Sequence, residues 1–206
     1  MTAELSATVG EKRHLVDPLE SDQLILVDES DREVGHLGKV DCHAGGGVLH
    51  RAFSLFIFNV RGELLLQQRS SHKRLWPNYW SNSCCSHPRL GESMTAAIHR
   101  RLMEELSLSC TLEFLFKFQY QAQYDEVAAE HELCSVFYGR SDTPAHPNRA
   151  EIAAVRWVPL LDLQGEIDGA AIDGAAPGYT PWFKLEWERI RRDHLEDILT
   201  PGGMPA

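Results

Sequence analysis

Apolar positions along this chain change period, and each change marks the boundary of an element. Gln23-Leu24-Ile25-Leu26-Val27 predicts a strand, closed by the turn Asp28-Glu29-Ser30-Asp31. Phe53-Ser54-Leu55-Phe56-Ile57-Phe58 predicts a strongly apolar strand. Asn59-Val60-Arg61-Gly62 turns it into Glu63 to Arg69, which predicts a hairpin. Glu92 to Leu106 predicts a helix: Ala96, Ala97, Ile98, Leu102 and Leu106 supply an apolar side, while Arg100, Arg101, Glu104 and Glu105 supply charge. Leu112 to Tyr120 and Glu132 to Arg140 predict further strands, and Val155 to Val158 a short one ended by Pro159. Pro181 to Leu199 predicts a second helix, opened by proline and basic from Arg189 to Arg192. The stretch 162–178 is rich in Gly and Ala and predicts a loop, and the polar residues 1–20 predict a flexible N-terminal extension. Residues 21–200 are expected to form one domain. Sheet with one central and one terminal helix predicts an α/β (α+β) sandwich on a mixed sheet, not a doubly wound parallel fold.

Composition narrows the partners. The chain has 206 residues, 43% hydrophobic and 24% charged, with a formal net charge of −10. That charge speaks against a broad nucleic-acid surface. A small anionic substrate then needs local positive charge or a metal ion. The five cysteines, Cys42, Cys84, Cys85, Cys110 and Cys134, do not form an even disulfide framework. The expected compartment is the reducing cytoplasm. No apolar run is long enough to cross a bilayer, and the N-terminus lacks the pattern of a signal peptide.

The densest chemistry lies in Asn82-Ser83-Cys84-Cys85-Ser86-His87-Pro88. In an extended segment Cys85 and His87 project to one side and Cys84 to the other. A loop with an incidental buried thiol is the alternative for this tract alone. His43 and His50 flank Ala44-Gly45-Gly46-Gly47-Val48-Leu49. Three consecutive glycines disfavour a helix, so a loop bringing the two imidazoles together is expected, against two surface histidines beside a flexible loop. Glu130 and Glu132 share a face at the entry to Leu133-Cys134-Ser135-Val136-Phe137. Two such acids repel unless a cation separates them, the alternative being a solvated strand entry. With His43, His50 and His87 they offer nitrogen and oxygen donors suited to Mn²⁺ or Mg²⁺, or to Zn²⁺ as a substitute.

The predicted central helix approximates the Nudix signature, but departs from it in three places. Ser86 stands for the first Gly, Arg101 for the Glu after Arg100, and Ser107 for the last Gly. Hydrolytic Nudix chemistry is poorly supported by this pattern, and a Nudix-like fold better.

Taken in order, Leu49-His50-Arg51-Ala52-Phe53-Ser54, Trp76-Pro77 with Trp80, Asn82 to Pro88, Gly91-Glu92-Ser93, Arg100-Arg101-Leu102 with Glu105-Leu106, Glu130-x-Glu132-x-Cys134-x-Val136-Phe137 and Thr180-Pro181-Trp182 resemble the type I isopentenyl-diphosphate isomerases. The resemblance runs over about residues 22–190 and implies a Nudix-like α/β/α sandwich. It implies interconversion of isopentenyl and dimethylallyl diphosphate by protonation and deprotonation through a tertiary cation. By position it implies His43, His50, His87, Glu130 and Glu132 as ligands of a divalent metal, and Glu105 as a Mg²⁺ ligand shared with the substrate diphosphate. It implies Cys85, Glu132 and Tyr120 as catalytic residues. Lys39, Arg69, Lys73 and Arg101 would receive the diphosphate, and the ring of Trp182 would face the cation. The implied partner is a small allylic or homoallylic diphosphate, with no nucleic acid and no membrane span, and the chain a monomer or weak homodimer. A Nudix pyrophosphohydrolase and a structural Cys/His zinc module are the rivals. The first requires the missing helix Glu, and the second requires another closely spaced Cys/His pair.

Overall fold

The computed structural model describes residues 22–173 and 178–200, so the expected extension at 1–20 lies outside the described residues. Fourteen elements run in the order β1 (Gln23–Val27), β2 (Glu33–Gly38), α1 (Lys39–Cys42), β3 (His50–Phe58), β4 (Leu64–Arg69), β5 (Trp80–Ser81), β6 (Cys84–Ser86), α2 (Met94–Leu106), β7 (Leu112–Gln123), β8 (Ala129–Arg140), β9 (Ile152–Val158), α3 (Leu160–Asp173), α4 (Pro181–Asp193) and α5 (Leu195–Leu199). The sheet is mixed. β3 and β8 pair in parallel, and the other strand pairs are antiparallel.

The apolar run of β3 is explained by burial of both faces of the sheet. Phe53, Leu55 and Ile57 pack with Ala97, Ile98, Leu102 and Leu106 of α2. Ala52, Phe56 and Phe58 pack with Trp182, Phe183 and Trp187 of α4. The result is a helix–sheet–helix sandwich. α2 is capped by Ser93, whose hydroxyl accepts from Ala96 N at 3.2 Å, and ends at Ser107 in the left-handed conformation.

Four local expectations are corrected. The predicted β3–β4 hairpin closes only at Phe58 and Leu64. Beyond that point Asn82 to Ser86 enters between the two strands. The Ser83 hydroxyl accepts from Ile57 N at 2.8 Å and donates to Leu65 O at 2.6 Å, replacing the missing ladder bonds. The Gly/Ala-rich stretch predicted as a loop is largely α3, because Leu160, Leu163 and Ile167 fall at helical spacing and pack into the core. That packing offsets the cost of Gly165 and Gly169, about 1 kcal/mol each. The predicted helix from Pro181 to Leu199 breaks at His194, whose ring stacks on Phe116 at 5.4 Å. The break turns Ile198 inward. In α2, Ala96 is exposed, while Arg101 and Glu105 take places on the buried face.

Candidate active site

One face of the sheet builds the site. Tyr120 on β7, Glu132 on β8 and His50 on β3 stand side by side in one row, because Tyr120 registers with Glu132 and Glu132 with His50. Further along β3, Ser54 registers with Cys85 on β6. Opposed residues project to the same face, so Cys85 belongs to this side. It packs against the α4-side core, whereas Cys84 is buried in the α2-side core. The expected alternation of the two cysteines is therefore present.

The loop 43–50 is clamped rather than free. Gly45 N donates to Val127 O at 2.8 Å, and Gln121 and Gln123 donate to the carbonyls of Gly46 and Gly45. Gly47 has φ +75°, and a Cβ there would meet His131 Cβ at 3.0 Å and Ala129 O at 3.2 Å. Only glycine fits that backbone approach. The loop thus returns His50 to His43, with ring centroids 4.9 Å apart, and His87 lies 4.8 Å from His50.

His43, His50, His87, Glu130 and Glu132 each present a donor atom, all within 4.8 Å of one another. The Nδ1–H of His43 donates to Lys39 O at 2.6 Å, and that of His50 to Val48 O at 2.7 Å. A carbonyl can only accept, so the neutral rings carry hydrogen on Nδ1 and turn bare Nε2 lone pairs inward. His43 Nε2 then faces Glu130 Oε2 at 2.8 Å, and His50 Nε2 is buried without a hydrogen-bond partner among the described residues. Acceptors facing acceptors in a buried space call for a cation. The donor set fits a divalent ion.

The electrostatics agree. Burial and the neighbouring His87 hold His50 down at about 3, and burial drives His87 well below its ordinary value. Burial and the adjacent Glu130 raise Glu132 to about 7. Burial opposes charge on both His43 and Glu130, yet each favours the charged form of the other, so His43 is raised and Glu130 lowered: a proton between them stands where a metal cation would. Burial pushes the Cys85 thiol up to about 12, against the opposing pull of Arg69, so it is a protonated sulfur at neutral pH. Tyr120 donates its hydroxyl to Glu132 Oε2.

The rest of the pocket is basic and aromatic. Lys39, Arg69, Lys73 and Arg101 line it with Cys85, Tyr120 and Trp182. Glu105 is not drawn into the His/Glu group. It accepts from Arg101 Nη2 at 2.5 Å. A residue that sequence inspection missed, Glu151, also takes Arg101 Nη2 at 2.8 Å and Lys73 Nζ at 2.5 Å. No local signal marks Glu151, since its partners lie 50 and 78 positions away. The Arg101 guanidinium sits between two buried carboxylates at the helix position where a Nudix hydrolase carries Glu, which argues against hydrolysis.

The NUDIX domain family matches residues 48–183. Isopentenyl-diphosphate Delta-isomerase 1 of Photorhabdus laumondii subsp. laumondii is 44% identical over 179 residues, covering 86% of this chain and 99% of that protein. The isopentenyl-diphosphate Delta-isomerase 1 of Aromatoleum aromaticum is 44% identical over 176 residues, covering 85% and 96%. The chain belongs to the isopentenyl-diphosphate Delta-isomerase family. Among solved structures, a protein from Deinococcus radiodurans shares the Nudix fold of this isomerase family member at a TM-score of 0.64 and 23% identity, covering 84% of this chain and 99% of that one. The MutT protein from Methanosarcina mazei Go1 has a TM-score of 0.56 at 18% identity, covering 70% and 94%. These two likenesses concern fold alone.

Proposed function

We propose that this protein interconverts isopentenyl diphosphate and dimethylallyl diphosphate, with Cys85 and Glu132 as the proton-transferring pair. The observation that carries the residue assignment is the shared sheet face. A neutral, half-buried thiol, a carboxyl held by Tyr120 and three histidines meet there beside a basic rim.

An unactivated alkene is isomerised by adding a proton at its terminal carbon and removing another from the neighbouring methylene. The double-bond electrons form the new C–H bond, and the electrons of the C–H bond that breaks form the shifted double bond. This requires one group with a proton to give and another able to take one. Cys85 enters protonated, and Glu132 is the carboxyl on the same sheet face that can take a proton, its affinity raised by burial and by Glu130. Tyr120 orients Glu132 by donating to Oε2 at 2.7 Å. Trp182 lines the pocket and offers an aromatic face to a cation, a contact of about 2 kcal/mol when desolvated. Lys39, Arg69, Lys73 and Arg101 offer the diphosphate local positive charge despite the net −10. His43, His50, His87, Glu130 and Glu132 would hold the divalent ion, Mg²⁺ or Mn²⁺ with Zn²⁺ as a substitute. When bound it lowers the proton affinity of the carboxylates and fixes their orientation. Glu105 is the proposed further Mg²⁺ ligand once a diphosphate brings the ion. Five free thiols support a cytoplasmic enzyme, and no described helix is long and apolar enough to cross a membrane.

The test is NMR of isopentenyl diphosphate with the enzyme and Mg²⁺ in deuterated water. Deuterium should enter the carbon that becomes the new methyl group and, by reversal, the neighbouring methylene. Glu132→Gln with full metal occupancy should abolish the exchange, because an amide cannot take up the proton. Turnover at the parent rate by that metallated variant reassigns the pair.

A further inference from the structure

Arg69 has a second set of contacts that a diphosphate receptor does not require. Its Nε donates to Leu75 O at 3.2 Å and to Trp76 O at 3.1 Å, and its Nη2 donates to Leu75 O at 2.8 Å. Its guanidinium carbon stands 5.2 Å from the centroid of the Trp182 ring. We propose that Arg69 is a positioning residue for the aromatic wall of the pocket, fixing the Trp182 ring and the Leu75–Trp76 corner against each other. The proposal rests on the isomerase assignment above and extends it.

An arginine has five N–H groups in one plane. The edge formed by Nε and Nη2 is committed to the two carbonyls, and the opposite edge remains for an anion. The carbonyls it holds belong to a corner that needs holding. Trp76 has φ +45° and Asn78 φ +65°, both left-handed and neither glycine, a conformation that persists only where the surroundings impose it. Main-chain bonds from Asn78 N to Arg69 O and from Arg69 N to Tyr79 O close the same corner onto β4.

Trp182 needs an external reference too. The residue is 3% exposed, and its Nε1–H is buried with no hydrogen-bond partner among the described residues. No hydrogen bond therefore sets the ring plane. What sets it is contact: Arg69 on the ring, Trp76 edge-on at 5.3 Å and 88°, and Tyr120 at 6.3 Å. Trp76 is itself placed by the carbonyls that Arg69 grips. One side chain thus holds two walls of the pocket. Lysine supplies the charge but has neither the planar face nor the fixed fork.

The test is Arg69→Lys in the full chain with Mg²⁺, alone and combined with Trp182→Phe. Lys still binds phosphate as a point charge, and Lys39, Lys73 and Arg101 line the same pocket, so binding of inorganic pyrophosphate should weaken by no more than about threefold. The kcat for isopentenyl diphosphate should fall by about tenfold or more, as expected for a misplaced pocket wall. The two losses should not multiply: in the Trp182→Phe background, Arg69→Lys should cost little more. A raised KM at unchanged kcat, or losses that multiply, would overturn the proposal and leave Arg69 as a phosphate contact alone. A second measurement does not depend on how Arg69→Lys folds. Saturating inorganic pyrophosphate should change the near-ultraviolet circular dichroism of the parent, and Trp182→Phe should remove the Trp182 share of that change; a change of equal size in parent and Trp182→Phe, or none in the parent, also overturns the proposal. Absence of isomerisation by the parent would instead sink the functional assignment, which separates the two failures.

Discussion

Tyr120 and Glu132 face each other across the β7–β8 ladder, and the phenol donates to Glu132 Oε2 at 2.7 Å. The bond orients a carboxyl that must also lie beside His87, whose Nε2 is 2.8 Å from the other oxygen, Oε1. One bond to a charged acceptor is worth about 1.5–3 kcal/mol. Tyr120→Phe should therefore lower kcat by roughly 10- to 100-fold. Metal content, measured by elemental analysis on the same sample, should not change. A large loss of metal would make Tyr120 a structural support of the metal site.

The two adjacent cysteines should separate cleanly. Cys84 is buried against α2, so Cys84→Ala should cost about 1 kcal/mol of stability for the lost packing and leave turnover near the parent value. Cys85→Ala should keep its fold and lose isomerisation by about 10²-fold or more, the scale of a lost proton donor. Paired urea melts and rate assays test this. Equal loss of activity in both variants would refute the assignment.

Glu151 gives the stability curve an acid limb. Burial opposes its charge, but Lys73 and Arg101 hold its carboxyl down at about 2 from an ordinary 4.5. A carboxyl depressed in the folded state stabilises above its unfolded pKa and loses that contribution as pH falls through the folded one. The contribution is on the order of 3 kcal/mol. Glu151→Gln should be less stable than the parent at pH 7, and the gap should close between about pH 4.5 and pH 2. Urea midpoints across that range measure it, and a gap independent of pH would contradict the ion-pair account.

Gly47 and Gly45 make a matched pair. Both have positive φ, but only at Gly47 would a Cβ collide, with His131 and the Ala129 carbonyl. Gly45→Ala should cost only the backbone term, about 1–2 kcal/mol, with metal affinity near the parent. Gly47→Ala should displace the strand entry that carries His50 and weaken Mn²⁺ binding by about tenfold or more. Titration of the two variants with Mn²⁺ decides, and equal affinities would show that the loop does not place the ligand.

By itself the sequence determined the elements whose pattern is local. The apolar runs of β1 and β3, the proline-opened start of α4 and the opposite faces of Cys84 and Cys85 follow from period and turn chemistry acting over a few residues. The resemblance that binds His43, His50, His87, Glu130 and Glu132 into one expectation was also legible, because each residue sits in a short marked segment. Tertiary structure decided what depends on distant neighbours. The β3–β4 hairpin opens because Ser83 satisfies backbone groups on both strands. α3 forms through a glycine-rich stretch because the core accepts Leu163 and Ile167. Glu151 acquires its role from Lys73 and Arg101, and Arg69 from the carbonyls of Leu75 and Trp76. Burial multiplies the strength of such contacts, and burial is a property of the packed sheet and helices rather than of any one segment.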